Sequence, residues 1–315
     1  MEPILTIAIP TYNRKEQIQK QVRLLLPQLD ERVKLVVYDN HSDIPVEILF
    51  TENELSQFIL IRNIVNIGGD ANIARCFECC QTKWLWTLSD DDWVKPEAVN
   101  KVLQYVLEYE NKTFINLWSI IEKKTENSEQ FLQILSDRSV FSAAFAMSTC
   151  LYNLDCLKID LHYYYKYLSS MLGTLIMVIK NIIHTDGECV FLNDPPVILG
   201  EDVGWNYRDY IYCSSLFLEA FHFDQCNKYK KTIFLGYHKT NYKLIEINRE
   251  SSNINRVSRL LLFCKASHLQ GFFNALIYCP KDYIRCLLFV LIGNRLAGGL
   301  IGLIRRINDN TFFKK

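Results

Sequence analysis

Trp84-Leu-Trp-Thr-Leu-Ser-Asp-Asp-Asp92 is the stretch on which the reading of this chain turns. Trp84 to Leu88 has the length and apolar content of a buried strand, and it runs almost directly into three adjacent carboxylates. Like charges crowded at the end of a buried strand repel one another and raise each other's pKa values. A bound divalent cation relieves that repulsion. Carboxylate oxygens are hard ligands that suit Mg2+ or Mn2+, ions that take one or two carboxylates and complete their shell with phosphates and water. The plainer alternative is an acidic turn leading into the next helix, whose first turn Pro96 suits because its missing N–H costs nothing there.

The same design recurs upstream. Leu5 to Ile9 reads as a strand that ends in Pro10-Thr11-Tyr12-Asn13, and Val33 to Tyr38 as one that ends in Asp39-Asn-His-Ser-Asp43. A third, Phe58 to Ile61, leads to Asn66-Ile-Gly-Gly69. Between them lie helical spacings. Ile18, Val22, Leu25 and Leu29 follow Asn13, a helix cap that Glu16 completes as a capping box. Asp70 caps a helix that buries Ile73, Ala74 and Phe77, and Val99, Val102, Leu103 and Val106 line another. Phe114 to Trp118 is a fifth strand. Strand and helix in alternation predict an α/β fold, with a mainly parallel sheet flanked by helices. Ligands of such sheets bind beyond the carboxyl ends of the strands. The polar clusters at 10–14, 39–43 and 89–92 all fall there.

Past residue 140 the pattern blurs into an apolar and aromatic helical stretch at 160–184, a strand with a turn at 190–199, and a helical remainder. We expect a catalytic domain over residues 1–225 and a helical region over 226–315. Lys plus Arg equal Asp plus Glu at 35 each, so no basic excess points to nucleic acid. Eleven cysteines, odd in number and scattered, fit neither a disulfide framework nor zinc spacing and read as reduced, buried thiols. Glu2-Pro3 and a short apolar run predict no secretory leader, and no stretch reaches the ~18 apolar residues of a spanning helix. A cytoplasmic protein is expected.

Together, Thr6-Ile-Ala-Ile-Pro-Thr-Tyr-Asn-Arg14, Val37-Tyr-Asp-Asn-His-Ser-Asp43, Asn66-Ile-Gly-Gly-Asp-Ala-Asn-Ile-Ala-Arg75 and Ser89-Asp-Asp-Asp92 resemble, in order and spacing, the family-2 glycosyltransferases of the GT-A fold. The resemblance covers residues 4–120, and its form looks most like transferases of bacterial O-antigen, capsule and lipooligosaccharide pathways. It implies an inverting enzyme that moves a sugar from a nucleotide diphosphate donor, UDP- or dTDP-linked, to a lipid-linked acceptor at the cytoplasmic face of the inner membrane. By the same resemblance Pro10, Tyr12 and Arg14 border the nucleotide and Asp39 meets the base. Asn66, Gly68 and Arg75 close around the uridine-like half and the diphosphate. Asp90 and Asp91 belong to the nucleotide-sugar side, and Asp92 ligates the metal. Asp39-Asn-His-Ser-Asp43 departs from the Asp-Asp-Gly-Ser type of turn common in the family, which leaves the base open.

Inversion needs a group to take the proton of the acceptor hydroxyl. Asp160 and His162 lead the candidates, followed by Asp202 within Leu199-Gly-Glu-Asp-Val-Gly204, with Glu201 and Asp155 behind. The aromatic run His162-Tyr-Tyr-Tyr165 suits helix packing better than sugar stacking. Tyr283 to Ile307 mixes apolar residues with Arg285, Arg295, Arg305 and Arg306, a composition suited to a membrane interface or to packing on the domain. Two other functions stay in view: a metal-dependent nucleotidyltransferase, which lacks its glycine-rich phosphate loop here, and a family member that binds nucleotide sugar without catalysis.

Overall fold

A computed structural model of the chain describes residues 2–200, together with 210, 213–214, 216–221, 229–247, 277–281 and 284. The strands are β1 (Leu5–Thr11), β2 (Val33–Asp39), β3 (Ile59–Arg62), β4 (Trp84–Thr87), β5 (Trp93–Val94), β6 (Phe114–Asn116), β7 (Trp118–Thr125), β8 (Cys150–Asn153), β9 (Cys189–Asn193) and β10 (Val197–Ile198). Eight of them form one sheet in the order β3-β2-β1-β4-β8-β6-β9-β7, and β5 pairs with β10 in a small second sheet. The first four are mutually parallel, as is β6 to β9, whereas β8 and β7 run against their neighbours. The expected mainly parallel sheet is therefore present.

Burial on both faces explains the near-continuous apolar strands. Leu5, Ile7, Ala8 and Ile9 of β1 are all fully buried. Thr6 among them satisfies its hydroxyl against that of Thr82, 2.8 Å away. The main helices are α1 (Lys15–Leu25), α2 (Glu52–Leu55), α3 (Gly69–Cys79), α4 (Ala98–Glu108), α5 (Ser128–Leu135), α6 (Arg138–Phe145), α7 (Leu154–Leu157), α8 (Leu161–Lys166) and α9 (Gly173–Thr185). Ile18, Val22 and Leu25 of α1, and Val99, Val102, Leu103 and Val106 of α4, join the strands in a single core.

Several local expectations change. No capping box forms at Asn13, because α1 begins from Arg14 and Asn13 adopts φ 55°. Asparagine tolerates that left-handed turn, and its amide crosses instead to the 42–43 turn, donating to Asp43 at 3.1 Å and accepting the Asp43 N–H at 2.8 Å. A capping box does occur at Thr51 and Glu54. Asp70 lies inside the first turn of α3, which is entered through Gly68 at φ 88°. In α3 the buried positions are Asn72, Ala74, Cys76 and Phe77 rather than Ile73. Pro96 precedes α4 by two residues, since Glu97 takes a left-handed conformation at the entry. The single strand expected at 114–118 divides at Leu117 into β6 and β7, and Asn116 caps the break by accepting the Trp118 N–H at 3.1 Å.

Contacts divide the chain into two compact units, Met1–Gly204 and Trp205–Lys315, where the sequence suggested a boundary at 225. Within the second, the described residues include helices α10 (Leu216–Ala220) and α11 (Lys230–Ile247). Nearly all of the expected interfacial stretch at 283–307 lies outside the described residues. Among the described residues, no helix is long and apolar enough to cross a membrane, and the cysteines are free thiols, with Cys76 and Cys80 buried.

Helices α8 and α9 meet with almost no clearance. A Cβ at Gly173 would lie 2.4 Å from Cδ2 of the buried Tyr164 ring. Gly173→Ala should therefore destabilise the fold by roughly 1–3 kcal/mol, the usual cost of overpacking, read as a lowered midpoint in denaturant unfolding.

Candidate active site

Because β1 lies between β2 and β4, the loops leaving these three strands share one edge of the sheet. Asn40 N–H donates to the Thr11 carbonyl at 2.9 Å, and Leu88 N–H to that of Ala8 at 2.9 Å. The clusters at 10–14, 39–43 and 89–92 thus converge. Asp90 is buried and accepts the Thr11 hydroxyl at 2.6 Å. Arg14 reaches across from the start of α1, placing Nη1 2.6 Å from Asp91 Oδ2 and 3.5 Å from Asp90 Oδ1. Ser89 donates its hydroxyl to Asp91. Asp92 is held from another side, with Oδ1 accepting the Gly200 N–H at 2.8 Å.

Burial pushes the Asp90 carboxyl up to about 6, against the opposing pull of the Thr11 hydroxyl and Arg14. Burial also raises Asp92, with hydrogen bonds from Ser148 and Gly200 opposing it. Three carboxylates thus face one guanidinium among the described residues. That surplus of negative charge fits a divalent cation. Among the described residues no three His, Cys, Asp or Glu side chains gather into a ready cage, and Mg2+ characteristically takes only one or two carboxylates and draws on phosphates for the rest.

The second half of the site hangs on amides. Asn40 donates to Asn66 Oδ1 at 2.8 Å, and accepts from Asn63 Nδ2 at 2.8 Å and from the Ile67 N–H at 3.0 Å. Asn63 also donates to Asn72 at 2.9 Å and accepts Arg75 Nη1 at 2.6 Å. Asn72 returns to the Tyr38 carbonyl at 2.9 Å. Gly68 N–H closes the loop on Asn66 Oδ1 at 2.9 Å. This web seats Asn66, Gly68 and Arg75 beside the end of β2. Tyr12 is 41% exposed immediately after β1, whose next-to-last residue is Pro10.

Asp39 has no exposed surface. Its Oδ1 accepts the Ser42 N–H at 2.8 Å, while Oδ2 pairs with Arg62 and lies 3.4 Å from the Val46 N–H. It braces the 39–46 turn from within.

The family-2 glycosyl transferase model matches residues 6–164, half of the chain. The chain belongs to glycosyltransferase family 2. A curated relative, an uncharacterized glycosyltransferase of Haemophilus influenzae, is 30% identical over 113 residues, which are 36% of this chain and 37% of that protein. Among solved structures, Staphylococcus aureus TarS (residues 1–349) aligns with a TM-score of 0.64 at 12% identity, covering 92% of both chains. The mannosyltransferase PcManGT of Pyrobaculum calidifontis, solved with GDP-Man and Mn2+, aligns with a TM-score of 0.50 at 11% identity, over 91% of this chain and 88% of that one. The sheet is thus that of a GT-A glycosyltransferase.

In this transferase the leading base candidates fall away from the triplet. Strand β8 runs antiparallel to β4, pairing Asn153 with Trp84, so whatever follows β8 emerges at the opposite end of β4 from Asp90–Asp92. Lys158 bonds the Cys80 carbonyl there at 2.6 Å. Asp160 is buried at that far end, accepting from Asn181 at 2.8 Å with His184 Nδ1 3.5 Å away. His162 is exposed and bonds the Ile159 carbonyl at 3.2 Å. Asp155 is exposed beside them. The information missing from the sequence was the direction of β8. Glu201 and Asp202 lie outside the described residues, directly after Gly200, which touches the triplet.

Sequence reasoning missed Asn40, Asn63 and Asn72, as well as Gln21, Ser148 and Gly200. Three asparagines at strand ends or on a helix's buried face were the available signal, since buried amides imply partners.

A carboxyl raised by burial binds protons in the folded state that it has lost in the unfolded one. Its folded state therefore loses stability as pH rises from the ordinary aspartate range to about 6. Asp90→Asn should gain stability relative to the metal-free parent between pH 4 and 6.5, as seen by thermal unfolding across that range; a difference independent of pH would contradict the assignment.

Proposed function

We propose that this transferase moves a sugar, with inversion, from a nucleoside diphosphate donor to a lipid-linked surface-glycan acceptor. The observation that carries the reading is the single cluster of Thr11, Arg14 and Asp90–Asp92 at the joined ends of β1 and β4. Tyr12, Asn66, Gly68 and Arg75 would border the nucleotide together with Pro10 and Arg14. Asp39 would contact the base only if Arg62 released it. Asp90 and Asp91 would serve the ribose and sugar side. Asp92 would hold Mg2+ or Mn2+, whose charge offsets that developing on the diphosphate leaving group.

A UDP- or dTDP-linked donor is favoured. TarS has been solved with UDP-GlcNAc, at 12% identity and a TM-score of 0.59, and PcManGT with GDP-Man and Mn2+. The proton of the acceptor hydroxyl needs a base on the triplet's side of the sheet. Glu201 and Asp202 directly follow Gly200 in the chain, and Asp202 is our assignment. A cytoplasmic setting, against the inner face of a membrane, would suit a lipid-linked acceptor.

Hydrolysis of a nucleotide-sugar panel with and without Mn2+ tests the reaction class. At least one donor should be cleaved in a metal-dependent way, and cleavage of none would indicate a donor-binding protein without transferase chemistry. Asp92→Asn should lower metal-dependent turnover by about 100-fold or more, given the several kcal/mol a metal supplies and tenfold per ~1.4 kcal/mol, while thermal unfolding shows an intact fold. Asp202→Asn should abolish transfer yet retain nucleotide binding by calorimetry; full transfer by that variant would remove Asp202 from the base role.

A further inference from the structure

Arg14, Gln21 and Gln28 recur at intervals of seven: Arg14 caps the start of α1, Gln21 lies within it, and Gln28 ends the 3-10 turn Leu26–Gln28 that continues it. Each addresses the segment that carries the acidic triplet and leads into α4. Arg14 bonds Asp90 and Asp91. Gln21 Nε2 donates to the Asp92 carbonyl at 2.6 Å and lies 3.4 Å from that of Ser89, and its Oε1 is 3.5 Å from the Val94 N–H. Gln28 Nε2 donates to the Lys95 carbonyl at 3.2 Å, and its Oε1 accepts the Val99 N–H at 3.3 Å.

Gln21 is wholly buried among Ile18, Val22 and Leu25. An apolar residue would serve that core face of α1 better, because a buried amide costs stability unless its partners are all in place. Its partners are main-chain groups at the start, the end and the exit of the acidic turn. The backbone of Asp92 is thereby tied to α1, while its carboxylate is tied to Gly200 on the other side. A side chain gripped at both ends has little freedom to swing.

We propose that Gln21 is a positioning residue for the metal ligand Asp92: it fixes the turn so that the carboxylate is presented ready to bind a divalent cation. The inference rests on the metal role given to Asp92 above. Gln28 supplies an internal control, being the same residue type seven positions on but bound to chain that bears no ligand.

The test uses the full chain with UDP present, and free Mn2+ followed by electron paramagnetic resonance, with unfolding temperature measured in parallel. Gln21→Met should weaken Mn2+ binding by about 10–100-fold, the range seen when groups that orient metal ligands are removed. Gln28→Met should lower the unfolding temperature but leave Mn2+ affinity as in the parent. Should Gln21→Met fail to fold, Gln21→Asn, which keeps the amide but withdraws it by one methylene, gives the same comparison. Unchanged Mn2+ affinity in a folded Gln21 variant, or equal loss in Gln28→Met, overturns the positioning role alone. Failure of the parent chain to bind Mn2+ overturns the metal site and this role with it.

Discussion

Asp90, Asp91 and Asp92 leave β4 as three adjacent carboxylates, and Arg14 is the guanidinium that meets them. Charges so close repel one another, and in a half-buried setting water screens that repulsion poorly. Much of the surrounding architecture can be understood as its containment. Parallel pairing of β1 with β4 brings the Thr11 hydroxyl onto Asp90. The entry to α1 delivers Arg14. Pairing of β5 with β10 returns the chain to the triplet, where Gly200 lies so close that a Cβ on it would come within 2.4 Å of the Asp91 carbonyl oxygen. Glycine is required there by that approach alone. What these contacts leave unbalanced is negative charge, the property a metal-bound diphosphate site needs.

The other wall of the site answers a different constraint. The segment from Asn63 to Gly68 carries exposed apolar residues, Ile64, Val65 and Ile67, and has no core of its own. Its shape comes from the amides of Asn40, Asn63, Asn66 and Asn72, each satisfied by another amide or by main chain. Fully paired polar networks of this kind specify one geometry, and leaving any member unpaired is costly. Arg75 is held in place by the same web. Residues from two separate stretches of sequence are thus set in register by neutral amides.

How much of this was legible beforehand follows the range of each interaction. Strands β1 to β4 and the polar clusters at their ends show in the sequence because both-face burial and strand-end chemistry are local signals. The turn at Asn13 misled, since an asparagine before Glu16 suits a capping box equally well, and only the opposing Asp43 turn decides between them. The reversed direction of β8 was invisible for a stronger reason. A four-residue apolar strand carries no mark of its orientation, yet that orientation sends Asp160 and His162 to the far end of the sheet. Gln21 and Ser148 escaped notice because their partners, the main chain of 89–94, lie 59 or more residues away in sequence.

Calorimetric titration of UDP into the metal-free chain, repeated with saturating Mn2+, tests the central claim most directly: that the crowded triplet is a seat for a metal-bridged diphosphate. Repulsion between the triplet and the diphosphate should make binding weak without metal, and Mn2+ should tighten it by at least about tenfold, or ~1.4 kcal/mol. Equal affinity with and without Mn2+ would contradict the account.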